Sequence, residues 1–296
     1  MAKSKNLPCP VRSISLPSRL NPNGLKIEAE LDKLKNLETS SHSAETIQAG
    51  VLGLVQLYNC VQELIQCSNT QKALAQHQNG AIVEEALEGS LELLESCDTI
   101  RNLFCMIKEQ MQHLQSALRR KGADSSIEKD ISNYLNFRKN MKKEIVKNLR
   151  RLKQMENRVG SSVFWDIEQH LSMVIRVLRE VTVVTTSVFK ALLVFLSYQD
   201  TKIKPRGWLM ISKLMITKSS ASSQGGQIFS DMGSVDIALD SLRQHIKNNE
   251  TKVDGNVARR RLQTLDMSIE GFEAGLQSLY KKLIQSRVSF LNVLAL

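Results

Sequence analysis

The sequence predicts an all-α fold, a bundle of long antiparallel amphipathic helices that follows a disordered N-terminal tail. The first reason is the placement of the five prolines, because four lie within the first 22 residues and none lies between Asn23 and Lys204. Proline interrupts helices, so this long stretch permits long ones. The second reason is that apolar residues recur at alternating spacings of three and four, which places one apolar stripe on one helix face. Helices that each carry such a stripe pack as a bundle.

Residues 1–27 are predicted to form a disordered basic tail. The segment contains four of the five prolines and five basic residues but no acidic residue. One-sided charge and turn-forming residues disfavour a packed core. The remainder, residues 28–296, is predicted to form one helical-bundle domain. It would begin with a short helix over Glu28–Leu37, followed by a break rich in Ser and Thr.

Five further apolar stripes define the predicted long helices. The regular ones run over Ile47–Ile65, Leu93–Leu118, Phe164–Phe195 and Leu262–Leu283, and a weaker one over Ile127–Leu152 is interrupted by Arg138. Ser125–Glu128 fits a capping box that would start the helix of the weaker stripe. A further helix is predicted over Val235–Asn248, after a flexible loop near residues 218–227 that is rich in Ser and Gly.

The stretch Leu171–Ser197 is the most apolar part of the chain. Charged residues interrupt it, and its longest uncharged run has nine residues, whereas a membrane-spanning helix needs about 20. We therefore predict a central core helix, and contact between this helix and a membrane stays an open alternative.

The motifs of common enzymes and metal sites are missing from the sequence. There is no Gly-rich phosphate-binding loop, no HExxH pair and no GxSxG elbow, and the five histidines are widely separated. The five cysteines show no CxxC spacing, which is typical of free thiols in a reducing compartment. The sequence thus predicts a protein that is not an enzyme and needs no cofactor or metal.

Several segments carry a family signature. They are Arg12–Arg19 (RSISLPSR), Asn21-Pro22, Leu54–Leu74, Leu87–Cys97 (LEGSLELLESC), Phe272–Leu276 and Leu283–Asn292. Together these segments resemble the plant family known as domain of unknown function 241, which includes the BYPASS-like proteins. The resemblance spans nearly the whole chain. It implies a mostly helical land-plant protein involved in root and shoot development, and it supplies no catalytic residues.

The tail contains a candidate phosphosite. Arg12-Ser13-Ile14-Ser15-Leu16-Pro17 fits the R-S-x-S-x-P form that 14-3-3-type proteins bind when the second serine is phosphorylated. A phosphate adds charge and strong acceptor oxygens that an arginine cluster can hold. We take Arg12, Ser13, Ser15 and Pro17 as the candidate recognition residues. A chance match within a disordered basic tail is the alternative.

The helix of the weaker stripe carries a second candidate site. Its basic residues form a candidate surface for an anionic partner: Arg138, Lys139, Lys142, Lys143, Lys147, Arg150 and Arg151. An acidic protein or an anionic membrane would suit this surface, and a merely solvated helix face is the alternative. Nucleic acid is disfavoured because aromatic residues do not alternate with the bases.

These observations favour a non-enzymatic plant regulator of development that acts through protein–protein interaction and is regulated by phosphorylation of its tail. The alternative is a membrane-peripheral protein that binds anionic lipid through the basic helix. We expect a cytoplasmic location, with the membrane periphery and the plastid as alternatives. The apolar stripes could pack within one bundle or form a coiled coil with another chain, so the oligomeric state stays open.

Overall fold

The computed structural model describes most of the chain. The described residues are 22–38, 43–77, 80–121, 125–161, 169–197, 231–248 and 255–295. Nearly all of them are helical, and no strand occurs within these ranges. The prediction of an all-α fold is confirmed. The predicted tail up to residue 21 and the predicted loop at 218–227 lie outside the described residues.

The helices follow the predicted stripes closely. In chain order they are α1 (Pro22–Glu38), α2 (Ala44–Gln66), α3 (Ser68–Gln76), α4 (Ala81–Lys121), α5 (Glu128–Ser161), α6 (Gln169–Phe195), α7 (Asp231–Lys247) and α8 (Gly255–Leu294). A 3-10 turn over Ser125–Ile127 leads into α5, where the capping box was predicted. Helices α4 and α8 have 41 and 40 residues, which corresponds to a length of about 60 Å each.

The long helices are mostly antiparallel neighbours. Helices α4 and α8 are an example, because residues later in α4 contact residues earlier in α8. The contacts are Leu87 with Arg287, Lys108 with Glu273 and Gln115 with Leu262. Some neighbouring pairs run parallel, among them α4 and α6, in which Glu85 meets Arg179 and Phe104 meets Phe195, and α2 and α8. Gln48 contacts Ser268, and Val51 lies against Gly275. Because α2 and α8 are far apart in sequence, no short connection forces them to be antiparallel.

One hydrophobic core extends from Ile27 in α1 to Val293 in α8. The predicted stripe residues of α2, α4 and α8 are all buried, including Cys97. At the centre, Phe104 of α4, Phe195 of α6 and Phe272 of α8 form an aromatic cluster with ring centroids 4.9–6.5 Å apart. The aliphatic stripes of several helices therefore pack around a small aromatic cluster.

Helix α1 begins earlier than predicted. The predicted boundary was Glu28, whereas α1 starts at Pro22. Proline is tolerated at the first helical position because its missing N–H has no intrahelical partner there. Ile27, Leu31 and Leu34 are buried against the bundle, which stabilises the extra turns. The prediction that residues 22–27 belong to the tail is therefore wrong.

None of the described helices combines the length and the apolar character that crossing a membrane requires. The apolar stretch beginning at Leu171 forms α6, whose side chains are buried around most of its circumference. This agrees with the predicted core helix.

Candidate functional site

Helix α5 has two chemically distinct faces. Its apolar stripe, which includes Ile131, Tyr134 and Ile145, is buried where α5 packs against α4, α6 and α7. The basic residues follow a second row. At roughly 100° per residue, residues 139, 142, 143, 147, 150 and 153 fall within an arc of about 140° that borders the stripe at Lys142 and extends away from it. The geometry of one helix therefore separates a core face from a charged face.

We call this row the basic face. It consists of Lys139, Lys142, Lys143, Lys147, Arg150 and Lys153. Five of these side chains are exposed, and Lys142 is half-buried. None of the six forms an ion pair with any residue that the structure describes. No large hydrophobic residue is exposed on α5 either. The basic face is thus a predominantly polar surface whose bases are not paired among the described residues. Lys153, absent from the predicted set, extends it by one turn.

Arg138 does not belong to this surface, and that part of the prediction is wrong. Its side chain is 0% exposed. Its guanidinium donates from Nε to Asp236 Oδ1 at 3.1 Å and from Nη2 to Asp236 Oδ2 at 2.9 Å. It also donates to the carbonyl oxygen of Leu196 at 2.8 Å, just past the end of α6. The spacing explains this position, because Arg138 lies four residues after Tyr134 and three before Met141 and so continues the apolar stripe.

Asp236 was not singled out from the sequence, although its position carried a signal. It lies on the buried face of α7 beside Val235 and Leu239. Burial raises the pKa of Asp236, and the guanidinium of Arg138 opposes that rise. An acid on the apolar face of one helix and a base within the stripe of another are a matched pair. The sequence does not reveal this pairing, because it depends on the contact between α5 and α7 in the folded protein.

Arg151 stands at the margin of the predicted surface. It is half-buried and pairs with Glu95 of α4, so its charge is compensated within the bundle. Five of the seven predicted residues therefore contribute to the basic face. The predicted phosphosite residues Arg12, Ser13, Ser15 and Pro17 lie outside the described residues.

A cavity of about 130 Å³ lies between α2, α4, α5, α6 and α8. Two of the carboxylates that line it are held by arginines, since Glu85 pairs with Arg179 and Glu92 with Arg158. No histidine or cysteine of the described residues lines this cavity. Across the described parts of the chain, no group of three His, Cys, Asp or Glu side chains could hold a metal ion. The arrangement thus offers charged and apolar contacts for binding.

The comparison with known families agrees with the sequence motifs. The family model described as Protein BPS1 matches residues 50–293. This range contains the basic face, the Arg138–Asp236 pair and the residues that line the cavity. No curated protein and no solved structure matches the chain. The family model implies a plant regulatory protein related to development. Since the match covers most of the sequence, the chain belongs to the BPS1 family, the plant BYPASS-like family that its motifs resemble.

Proposed function

We propose that this protein acts in root and shoot development as a non-enzymatic regulator whose basic face on α5 binds an acidic segment of a protein partner. The observation that carries the proposal is that six basic side chains share one outer helix face and that none of them forms an ion pair with a described residue. Elsewhere the bundle pairs its bases across helices, as in Lys108–Glu273 and Lys190–Glu156. Within the described parts of the chain, no such pair forms on the basic face, where six unpaired bases lie on one helix.

The electrostatics of the basic face favour an elongated acidic partner. Lys139 and Lys153 are 14 residue steps apart, or roughly 21 Å at 1.5 Å per residue. Exposed charges attract a partner of opposite sign, accelerate its encounter and orient it, and this attraction weakens as salt screens it. Because α5 exposes no large hydrophobic residue, we expect a contact that is polar and sensitive to salt.

Charge reversal of the basic face tests this proposal. The variant combines Lys143→Glu, Lys147→Glu and Arg150→Glu. The matched control combines Arg119→Glu, Arg260→Glu and Lys281→Glu, three exposed bases on other helices. Both variants change the net charge equally. Quantitative affinity purification from plant tissue should show partners that the basic-face variant loses at least tenfold and the control retains. An identical partner set in the variant and the control would overturn the proposal.

An anionic membrane is the second candidate partner. The specific observation in its favour is that five of the six bases are exposed on one outer face of α5, where they could contact anionic headgroups. Vesicles of phosphatidylcholine with and without phosphatidylserine distinguish the two candidates. Salt-reversible binding only to the vesicles with phosphatidylserine, lost in the basic-face variant, would favour the membrane. Fractionation of plant tissue with a salt wash would test the proposed cytoplasmic location alongside.

We further propose that phosphorylation of the tail regulates the protein. The support is the sequence motif alone, in which Arg12 precedes Ser15 by three residues and Pro17 follows it by two. Phosphoserine at this position would present a dianionic group to a 14-3-3-type protein. Ser15→Ala should abolish binding to such a protein, whereas Ser18→Ala in the same tail should not. Unchanged binding after Ser15→Ala would refute the regulation.

A further inference from the structure

The cavity between α2, α4, α5, α6 and α8 combines an apolar interior with a charged rim. Side chains such as Val61, Ile65, Leu93 and Phe290 line its interior. Arginines from α5, α6 and α8 line it as well. Its volume of about 130 Å³ is close to that of an engineered apolar cavity, roughly 150 Å³, that admits benzene. The cavity can therefore hold one aromatic ring or a short alkyl chain.

Gly89 supplies an independent sign that this space is kept open. It lies within α4, where glycine costs about 1 kcal/mol relative to alanine. At two other helical glycines, close packing explains the residue. A Cβ at Gly53 would lie 2.7 Å from Leu34 Cδ2, and one at Gly275 would lie 2.9 Å from Val51 Cγ1. A Cβ at Gly89 would meet no atom within 4 Å, and Gly89 lines the cavity. Contacts within the chain thus give no reason for glycine at this position.

Arg287 differs from the other two arginines of the cavity. Arg158 and Arg179 each pair with a glutamate of α4. Arg287 instead donates from Nη1 to the carbonyl oxygen of Leu87 and to Ser90 Oγ. Among the described residues it forms no ion pair. A guanidinium has five N–H donors in a planar fork, so donors remain on Arg287 for an anion at the rim.

The carboxylates at the rim of the cavity do not act as the anionic partner of Arg287. Glu85 and Glu92 are engaged by Arg179 and Arg158. Glu88 contacts Arg158 at 3.8 Å with a side chain that is 65% exposed, so water screens its charge. An arginine fork binds a carboxylate, as it does a phosphate, in a bidentate manner, and the small volume of the cavity suits the carboxylate of a small organic acid.

We propose that this cavity binds a small monocarboxylic acid, whose ring or short alkyl body enters the apolar interior beside Gly89 while its carboxylate pairs with Arg287. This site lies apart from the basic face and does not depend on the proposed function. The ligand is held by apolar burial and by one charge-assisted contact. Both contributions can be removed separately.

The test uses the full-length protein with phenylacetate as the carboxylate probe and phenylacetamide as its neutral counterpart. Calorimetry and two-dimensional NMR measure binding. We expect saturable binding of one phenylacetate per chain and binding of phenylacetamide at least tenfold weaker. Failure of phenylacetate and hexanoate to bind would overturn the proposal. Equal binding of acid and amide would overturn the role of Arg287.

Two variants and one control locate the site. A Cβ at position 89 meets no atom within 4 Å, so Gly89→Leu should fill part of the cavity and abolish binding while the helical circular dichroism persists. Arg287→Gln should weaken phenylacetate at least tenfold but leave the amide unchanged. Arg176→Gln removes an exposed arginine of α6 outside the cavity and should change nothing. If Arg287→Gln does not fold, Gly89→Leu still tests the site. Unaltered phenylacetate binding by Gly89→Leu would show that the ligand does not bind in this cavity.

Discussion

At the scale of single residues, the buried pair Arg138–Asp236 joins three helices. Arg138 on α5 contacts Asp236 on α7 and the carbonyl oxygens of Leu196 and Ser197 just after α6. The last carbonyls of a helix have no intrahelical donors, and a cation there also interacts favourably with the helix dipole. One guanidinium therefore neutralises a buried acid and supplies donors at the end of α6.

Removing one partner of this pair should destabilise the protein more than removing both. Arg138→Met leaves the carboxylate of Asp236 buried without its counter-ion, which costs about 3–5 kcal/mol. Asp236→Leu should cost a similar amount. In the double variant no charge is buried, so its loss should be well below the sum of the two single losses. Urea unfolding of the four proteins measures this coupling, and simple additivity would contradict the proposed pairing.

The buried thiol of Cys97 should make stability fall at alkaline pH. Burial raises the pKa of Cys97 to about 12, whereas an exposed thiol ionises near roughly 8.5. Between these two pKa values the thiol is ionised in the unfolded chain but protonated in the folded chain. The contribution of Cys97 to the free energy of unfolding is therefore complete below about pH 8.5 and declines as the pH rises, by about 1.4 kcal/mol per pH unit. Urea unfolding from about pH 8 to 10 should show a shallower decline for Cys97→Ala. Equal slopes would exclude this role.

At the scale of helices, the same substitution should have opposite effects at two glycines. Gly89→Ala in α4 meets no neighbour within 4 Å, so it should stabilise the protein by up to about 1 kcal/mol through helix propensity. Gly275→Ala in α8 brings a Cβ within 2.9 Å of Val51 Cγ1, and overpacking costs about 1–3 kcal/mol. Thermal unfolding should move in opposite directions. Stabilisation by both substitutions would show that α2 and α8 are not so closely packed.

How far the sequence predicts these elements depends on which interactions determine them. The stripes predicted helices α2, α4, α6 and α8 because a period of 3.6 residues is a local property of the chain. The start of α1 at Pro22 was missed because packing against the bundle, rather than local propensity, extends that helix. Arg138 was assigned to the surface by its charge, although its spacing indicated the core. The cavity was not predicted at all, since five helices that are distant in sequence line it.

At the scale of the whole molecule, the aromatic cluster should couple the helices into one cooperative unit. Phe104, Phe195 and Phe272 come from three different helices and belong to the single core. Phe272 is fully buried, so Phe272→Ala should cost about 3–5 kcal/mol. The substituted protein should still unfold in one transition, because no separate core exists among the described residues to remain folded.

Two probes on different helices would test this cooperativity. Amide hydrogen exchange reports on α1, and alkylation of the buried Cys97 reports on α4. In Phe272→Ala both probes should lose protection by the same free energy, since both open only when the common core opens. The exposed Cys105 on the same helix provides the control, because its alkylation needs no unfolding. A loss of protection confined to α4 would mean that the bundle consists of units that open separately.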